Sequence, residues 1–165
     1  MSYTDPYPSR QDAQPAAPED RLAVRPDVLF AYGSLQFPEV LLALFERVPA
    51  HSPAQAPGWK TTTLPNRVYP GLVPAIASAS GYLLTDLSPH EWRLLDAFED
   101  PGYDLCPLDL TGGRRGWAYV CALGAETLPD PWSPDEFARF HLQDYVNRCT
   151  TWRQRYQDRG PAHRG

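Results

Sequence analysis

Two short stretches of this sequence hold residue types that could do chemistry. The first is Tyr32-Gly33-Ser34-Leu35-Gln36, which follows an apolar run and precedes Pro38. Main-chain N–H groups in a tight turn just ahead of a helix form a natural seat for a carboxylate or a developing oxyanion. Gly33, having no side chain, would let a ligand come close to the backbone. The second is Leu94-Leu95-Asp96-Ala97-Phe98-Glu99-Asp100, which crowds three carboxylates at a helix C-terminus, where the macrodipole disfavours anions by about 0.3–1 kcal/mol each. A sequence that breaks a local rule in this way marks a candidate site. Asp96 and Glu99 are spaced i,i+3, so their repulsion favours the protonated form of one and moves its pKa toward the range of general acid–base work. The residues alone leave blander readings open, because strand–Gly–helix turns are common connections and acidic helix ends are often merely solvated.

Other chemistries lose their key residues. The loop is neither G-x-x-x-x-G-K-[ST] nor G-x-G-x-x-G, and Ser34 is not in a G-x-S-x-G elbow, so phosphate-loop, dinucleotide and serine-nucleophile readings fall away. The four histidines, His51, His90, His141 and His163, show no zinc spacing, and no metal is expected. Cys106, Cys121 and Cys149 are odd in number and far apart, and read as ordinary thiols rather than a disulfide framework.

The elements that must position these groups can be read from periodicity and caps. Val28 to Tyr32 is a continuous apolar run ended by Gly33, which predicts a buried strand. Pro38 with Val40, Leu41, Leu44 and Phe45 at helical spacing predicts a helix over Pro38–Arg47. The Pro- and Thr-rich stretch 51–77 suits strands interrupted by turns, and 80–85 suits another strand. Ser88-Pro89-His90-Glu91 is a capping box that opens a helix to about Phe98. Tyr103–Leu110 and Gly116–Leu123, joined at Gly112-Gly113, make an antiparallel hairpin. Ser133-Pro134-Asp135-Glu136 opens the longest helix, whose stripe of Phe137, Phe140, Tyr145, Cys149, Trp152 and Tyr156 reads as a docking face.

At 165 residues with a net charge of -5, the chain suits one domain and lacks the basic excess that nucleic acid requires. It has neither a bilayer-length apolar run nor a signal-peptide pattern, so a cytoplasmic protein without a membrane partner is expected. The Pro-rich residues 1–26 read as a disordered tail, or at most a weak partner-binding arm. The domain is expected over 27–157, with 158–165 a flexible C-terminus.

From Val28 to Tyr156 the chain resembles the gamma-glutamylcyclotransferase-like superfamily, and within it the branch named after plant avirulence-induced genes. The resemblance rests on Phe30-Ala31-Tyr32-Gly33-Ser34-Leu35, then Arg67-Val68-Tyr69-Pro70-Gly71-Leu72-Val73-Pro74, Gly81-Tyr82-Leu83, Leu95-Asp96-Ala97-Phe98-Glu99, Tyr103 and Tyr119, in that order. It implies a small mixed β-barrel with flanking helices, where periodicity alone indicates only an α+β class. It also implies that Tyr32, Gly33, Ser34, Leu35 and Gln36 hold the glutamyl group of a small gamma-glutamyl substrate and that Glu99 is the general acid–base. By the same likeness Tyr103 and Tyr119 line the pocket, although each could equally be a core aromatic. The implied reaction closes the glutamyl group on itself to 5-oxoproline and needs no cofactor. The sequence departs from the family at Leu105, where an Arg is often found two residues after the Tyr. That departure keeps a second reading in play, a non-catalytic binding or stress-responsive module on the same fold.

Overall fold

The computed structural model describes residues 20–164, with side chains through residue 158. Its elements run β1 (Leu29–Ala31), α1 (Pro38–Phe45), β2 (His51–Thr62), β3 (Gly71–Leu84), α2 (Pro89–Phe98), β4 (Tyr103–Asp109), β5 (Arg115–Cys121), α3 (Pro134–Phe140) and α4 (Leu142–Arg164). The five strands form one mixed sheet in the order β2-β3-β1-β5-β4. β1 is antiparallel to β3, with Phe30 opposite Leu83, and parallel to β5, with Leu29 opposite Trp117.

Alternation along β1 explains its unbroken apolar run. Leu29 and Ala31 join the core between the sheet and the helices, whereas Phe30 and Tyr32 join a second core inside the curl of the sheet with Leu72, Leu83 and Val120. A strand buried on both faces has no polar position to show. Gly81 serves the close approach of β3, since a Cβ there would stand 2.3 Å from the Ala31 carbonyl oxygen. The sheet curls without closing, and β2 and β4 remain its edges. Arg114, from the turn between β4 and β5, donates to the Pro53 carbonyl on β2 at 3.0 Å and links the two ends.

Three sequence expectations are corrected here. The stretch 51–84 is one long antiparallel hairpin rather than several interrupted strands, with a register shift between Pro57 and Trp59. Pro53 and Pro57 are tolerated because β2 is an edge strand whose outer side needs no donors. The first helix stops at Phe45, because Glu46 takes a left-handed conformation (φ 59°) and closes it. The expected long helix breaks at His141 into α3 and α4, and α4 continues to Arg164. That break turns Phe140 out to solvent, while Phe137, Tyr145 and Cys149 stay buried. Within the stretch read as tail, Asp20 caps a short 3-10 turn, Arg21–Val24, and Leu22 packs on the main core. Residues 1–19 of the expected tail lie outside the described residues. Among those described, no helix is long and apolar enough to cross a membrane.

Candidate active site

The loop after β1 is shaped from three sides. Tyr32 is buried and its hydroxyl donates to the Tyr119 carbonyl at 2.5 Å, pinning the loop to β5. Gly33 lies against Pro70; a Cβ there would meet the ring at 2.9 Å. Ser34–Gln36 then form a 3-10 turn, in which Gln36 N–H donates to the Gly33 carbonyl (3.1 Å) and Phe37 N–H to the Ser34 carbonyl (3.2 Å). This pattern leaves out the N–H groups of Ser34 and Leu35, as the first donors of any helical turn are left out. The Ser34 hydroxyl donates to Tyr145 of α4 at 3.2 Å. Gln36 turns its side chain back to the Tyr32 carbonyl (2.8 Å) and braces the loop.

The acidic end of α2 is divided among unequal surroundings. Asp96 pairs with Arg21 (Nε to Oδ1, 2.9 Å) and accepts from the Tyr119 hydroxyl at 2.8 Å. Asp100 accepts from the Tyr69 hydroxyl (2.8 Å), Arg67 Nε (3.0 Å) and Gly102 N–H (2.8 Å). These bonds hold its carboxyl below the usual range in spite of burial. Glu99 has no cation within ion-pair distance among the described residues. Its carboxyl is pushed up to about 8, first by burial and then by repulsion from Asp100 and Asp96, with the nearby Arg21 charge pulling the other way. The direction matches the sequence expectation, but the leading cause is desolvation rather than the Asp96 pair.

Both segments open on one cavity of about 450 Å³. Of the residues singled out by sequence, Tyr32, Gly33, Ser34, Leu35, Glu99, Tyr103 and Tyr119 line it, whereas Gln36 does not. The Tyr103 hydroxyl donates to the Pro70 carbonyl at 2.7 Å. Burial raises Tyr32, Tyr103, Tyr119 and Tyr145 well above an ordinary phenol, so all four stay neutral and can only donate or accept hydrogen bonds. Glu99 is thus the group on this cavity, among the described residues with a shifted pKa, that is moved close to neutrality. Cys149 lies on its wall, pushed up to about 12 by burial and unreactive as a thiol. Among the described residues, no group of three or more His, Cys, Asp or Glu side chains is close enough to hold a metal.

Sequence reasoning missed two contributions. One wall comes from Tyr145, Arg148, Cys149 and Trp152 of α4. The aromatic stripe was visible, but its role as a cavity wall depends on how α4 docks, fixed in part by Arg153 Nε donating to the Ala43 carbonyl at 2.7 Å. The other is Arg21, whose side chain is nine-tenths buried behind the acidic turn. Nothing in its Pro-rich surroundings signals that.

Comparison with known proteins agrees with this architecture. Residues 29–139 match the family described as gamma-glutamyl cyclotransferase, AIG2-like, and the chain belongs to that family. AIG2-like protein C of Arabidopsis thaliana is 43% identical over 77 residues, covering 46% of this chain and 45% of the relative. AIG2-like protein A of the same plant is 34% identical over 118 residues, covering 71% and 70%. The chain thus spans about half the length of relatives such as AIG2-like proteins C and D. Among solved structures, the solution structure of an Arabidopsis thaliana protein is similar at a TM-score of 0.57 and 24% identity, covering 81% of this chain and 92% of that one. A crystal structure of an uncharacterized Pyrococcus horikoshii protein is similar at 0.54 and 12%, covering 72% and 96%. These likenesses share the fold.

Proposed function

We propose that the protein is a gamma-glutamylcyclotransferase that converts a gamma-glutamyl amine or peptide to 5-oxoproline and a free amine in the cytoplasm. The observation that carries this reading is the shared cavity, in which Glu99, raised to about 8, stands with the turn that leaves the N–H groups of Ser34 and Leu35 available.

The chemistry asks little of the protein beyond placement. The substrate's α-amino nitrogen attacks its own γ-carbonyl carbon, a five-membered lactam closes, and the γ-amide C–N bond breaks. Holding the glutamyl chain folded supplies the proximity. The ionised Glu99 takes a proton from the α-ammonium and returns one to the departing nitrogen; a base of pKa about 8 is well matched to an ammonium ion. The loop N–H groups suit the substrate carboxylate or the oxyanion of the tetrahedral intermediate. The neutral tyrosines, whose hydroxyls already donate to Pro70 and Asp96, keep the cavity walls fixed and can only accept from a bound substrate.

The test is to incubate the protein with a panel of gamma-glutamyl amines and peptides and to measure 5-oxoproline. Release from at least one compound is expected. Binding of these compounds without release would instead support the non-catalytic module, and neither binding nor release would overturn both.

A further inference from the structure

The guanidinium of Arg21 spends all of its donors on the turn that carries Glu99. One terminal nitrogen donates to the carbonyls of Asp100 (2.9 Å) and Tyr103 (3.0 Å), and the other to those of Asp96 (2.9 Å) and Glu99 (3.4 Å). Nε pairs with the Asp96 carboxylate at 2.9 Å. Five contacts match the five N–H groups of the fork, and two of the carbonyls, those of Asp96 and the C-cap Glu99, belong to the end of α2. The guanidinium also lies over the Tyr119 ring, 5.0 Å from its centre. Its own backbone is held by the Asp20 cap, where Leu22 N–H donates to Asp20 Oδ1 at 3.1 Å.

We propose that Arg21 is a positioning residue for Glu99: it clamps the backbone on both sides of the carboxylate and neutralises Asp96, so that Glu99 faces the cavity as the acid–base group. Arg21 lies outside the family-matched segment 29–139. It brings a cation to the Tyr103 carbonyl, just past the turn that carries Glu99. The role in turnover rests on the cyclotransferase reading; the clamp and its electrostatic pull on Glu99 do not.

The charges around Glu99 make the effect separable. Asp96 and Asp100, at the same helix end, oppose its ionisation, and Arg21 favours it. Asp100 is itself tied to Arg67 and Tyr69. Tyr32 just after β1, Tyr103 on β4, Tyr119 on β5, and Tyr145 and Cys149 on α4 face it as neutral groups. Arg148 of α4 lines the same cavity. Removing Arg21 therefore leaves two carboxylates and no compensating charge from that side.

Arg21→Met and Arg21→Lys would be compared with the parent across pH 6 to 10, with Arg21→Gln replacing the Met variant if that fails to fold. For Arg21→Met, the inflection in kcat/KM should move up by about one pH unit, and kcat should fall on the order of tenfold with KM nearly constant. Arg21→Lys should keep the parent's inflection but still lose kcat, because three donors cannot hold five acceptors. Loss of activity that tracks only loss of folded protein, with the inflection unmoved, overturns the proposal. A second readout needs no turnover: the rise in thermal midpoint from Glu99→Gln, measured at pH 8 against pH 5, should be larger in the Arg21→Met background than in the parent. Equal rises overturn the proposal. A larger rise in a protein that releases no 5-oxoproline leaves the Arg21 assignment standing and removes the cyclotransferase.

Discussion

Helix α2 carries a carboxylate at each end, and the two are treated in opposite ways. Glu91, in the first turn, accepts both arms of Arg47 (2.6 and 2.7 Å) and the N–H of Ser88 (2.9 Å), completing the capping box. It lies at the end where the dipole welcomes an anion, and its pKa is held below the usual carboxylate range, mainly by Arg47. Glu99, just past the last turn, lies at the end where the dipole resists an anion, and it is pushed up to about 8. Each end has an arginine nearby. Arg47 binds its glutamate directly, while Arg21 binds the backbone around Glu99 and the neighbouring Asp96. A carboxylate that serves the fold is thus paired and stays charged. Glu99, which we propose moves a proton, is held by its backbone and left free to change state.

The largest expected difference between the two ends is in turnover. Glu99→Gln keeps shape and hydrogen bonding but cannot accept a proton at neutral pH, so 5-oxoproline release should fall about 10²–10⁴-fold with the fold intact. Glu91→Gln should leave turnover within a few-fold. A reversal of that ranking would break the comparison. Next in size is Gly33→Val, which drives a branched side chain into Pro70 beside the N–H groups. Apparent substrate affinity should fall on the order of tenfold, or about 1.4 kcal/mol, with a smaller effect on the rate of the bound complex. Unchanged affinity would remove the loop as the glutamyl site.

Stability against pH sharpens the contrast further. The folded pKa of Glu91 is depressed, so its contribution is present above its unfolded value and is lost as pH falls through the folded one. Glu91→Gln should therefore cost about 1–2 kcal/mol at pH 7 and much less below pH 4. The folded pKa of Glu99 is raised, so the neutral form's advantage is intact below the unfolded value and is lost as pH rises toward about 8. Glu99→Gln should accordingly stabilise by on the order of 1–2 kcal/mol at pH 8, after discounting for partial exposure, and by nothing at pH 4. Denaturant titrations at three pH values would check both signs. The smallest effect is expected from deleting residues 1–19, whose Pro-rich composition has little to bury and should leave the thermal midpoint unchanged. Extending the deletion through Val24 removes Arg21 and Leu22 and should lower it.

Features that depend on neighbours in the chain were legible before the structure. The Ser88 and Ser133 caps form as written, and the turn at Gly112-Gly113 takes the positive φ angles that glycine permits. Features set by distant packing were not. Prolines obscured the long hairpin, because their tolerance on β2 follows from its place at the edge of the sheet. Asp96 and Glu99 could not be told apart from spacing, since their difference comes from a guanidinium 75 residues before Asp96. Burial, the main cause of the raised Glu99 pKa, depends on how the helix end seats against β4, β5 and α4, which no local pattern encodes.

The pH dependence of kcat/KM for 5-oxoproline release by the unmodified protein is the most direct test of Glu99 as the base. The ionised form must take the first proton, so the profile should rise through a single inflection near 8, following the raised carboxyl. A profile already level at pH 6, as an ordinary solvated carboxylate would produce, would contradict the assignment of Glu99 as a half-buried, poised base.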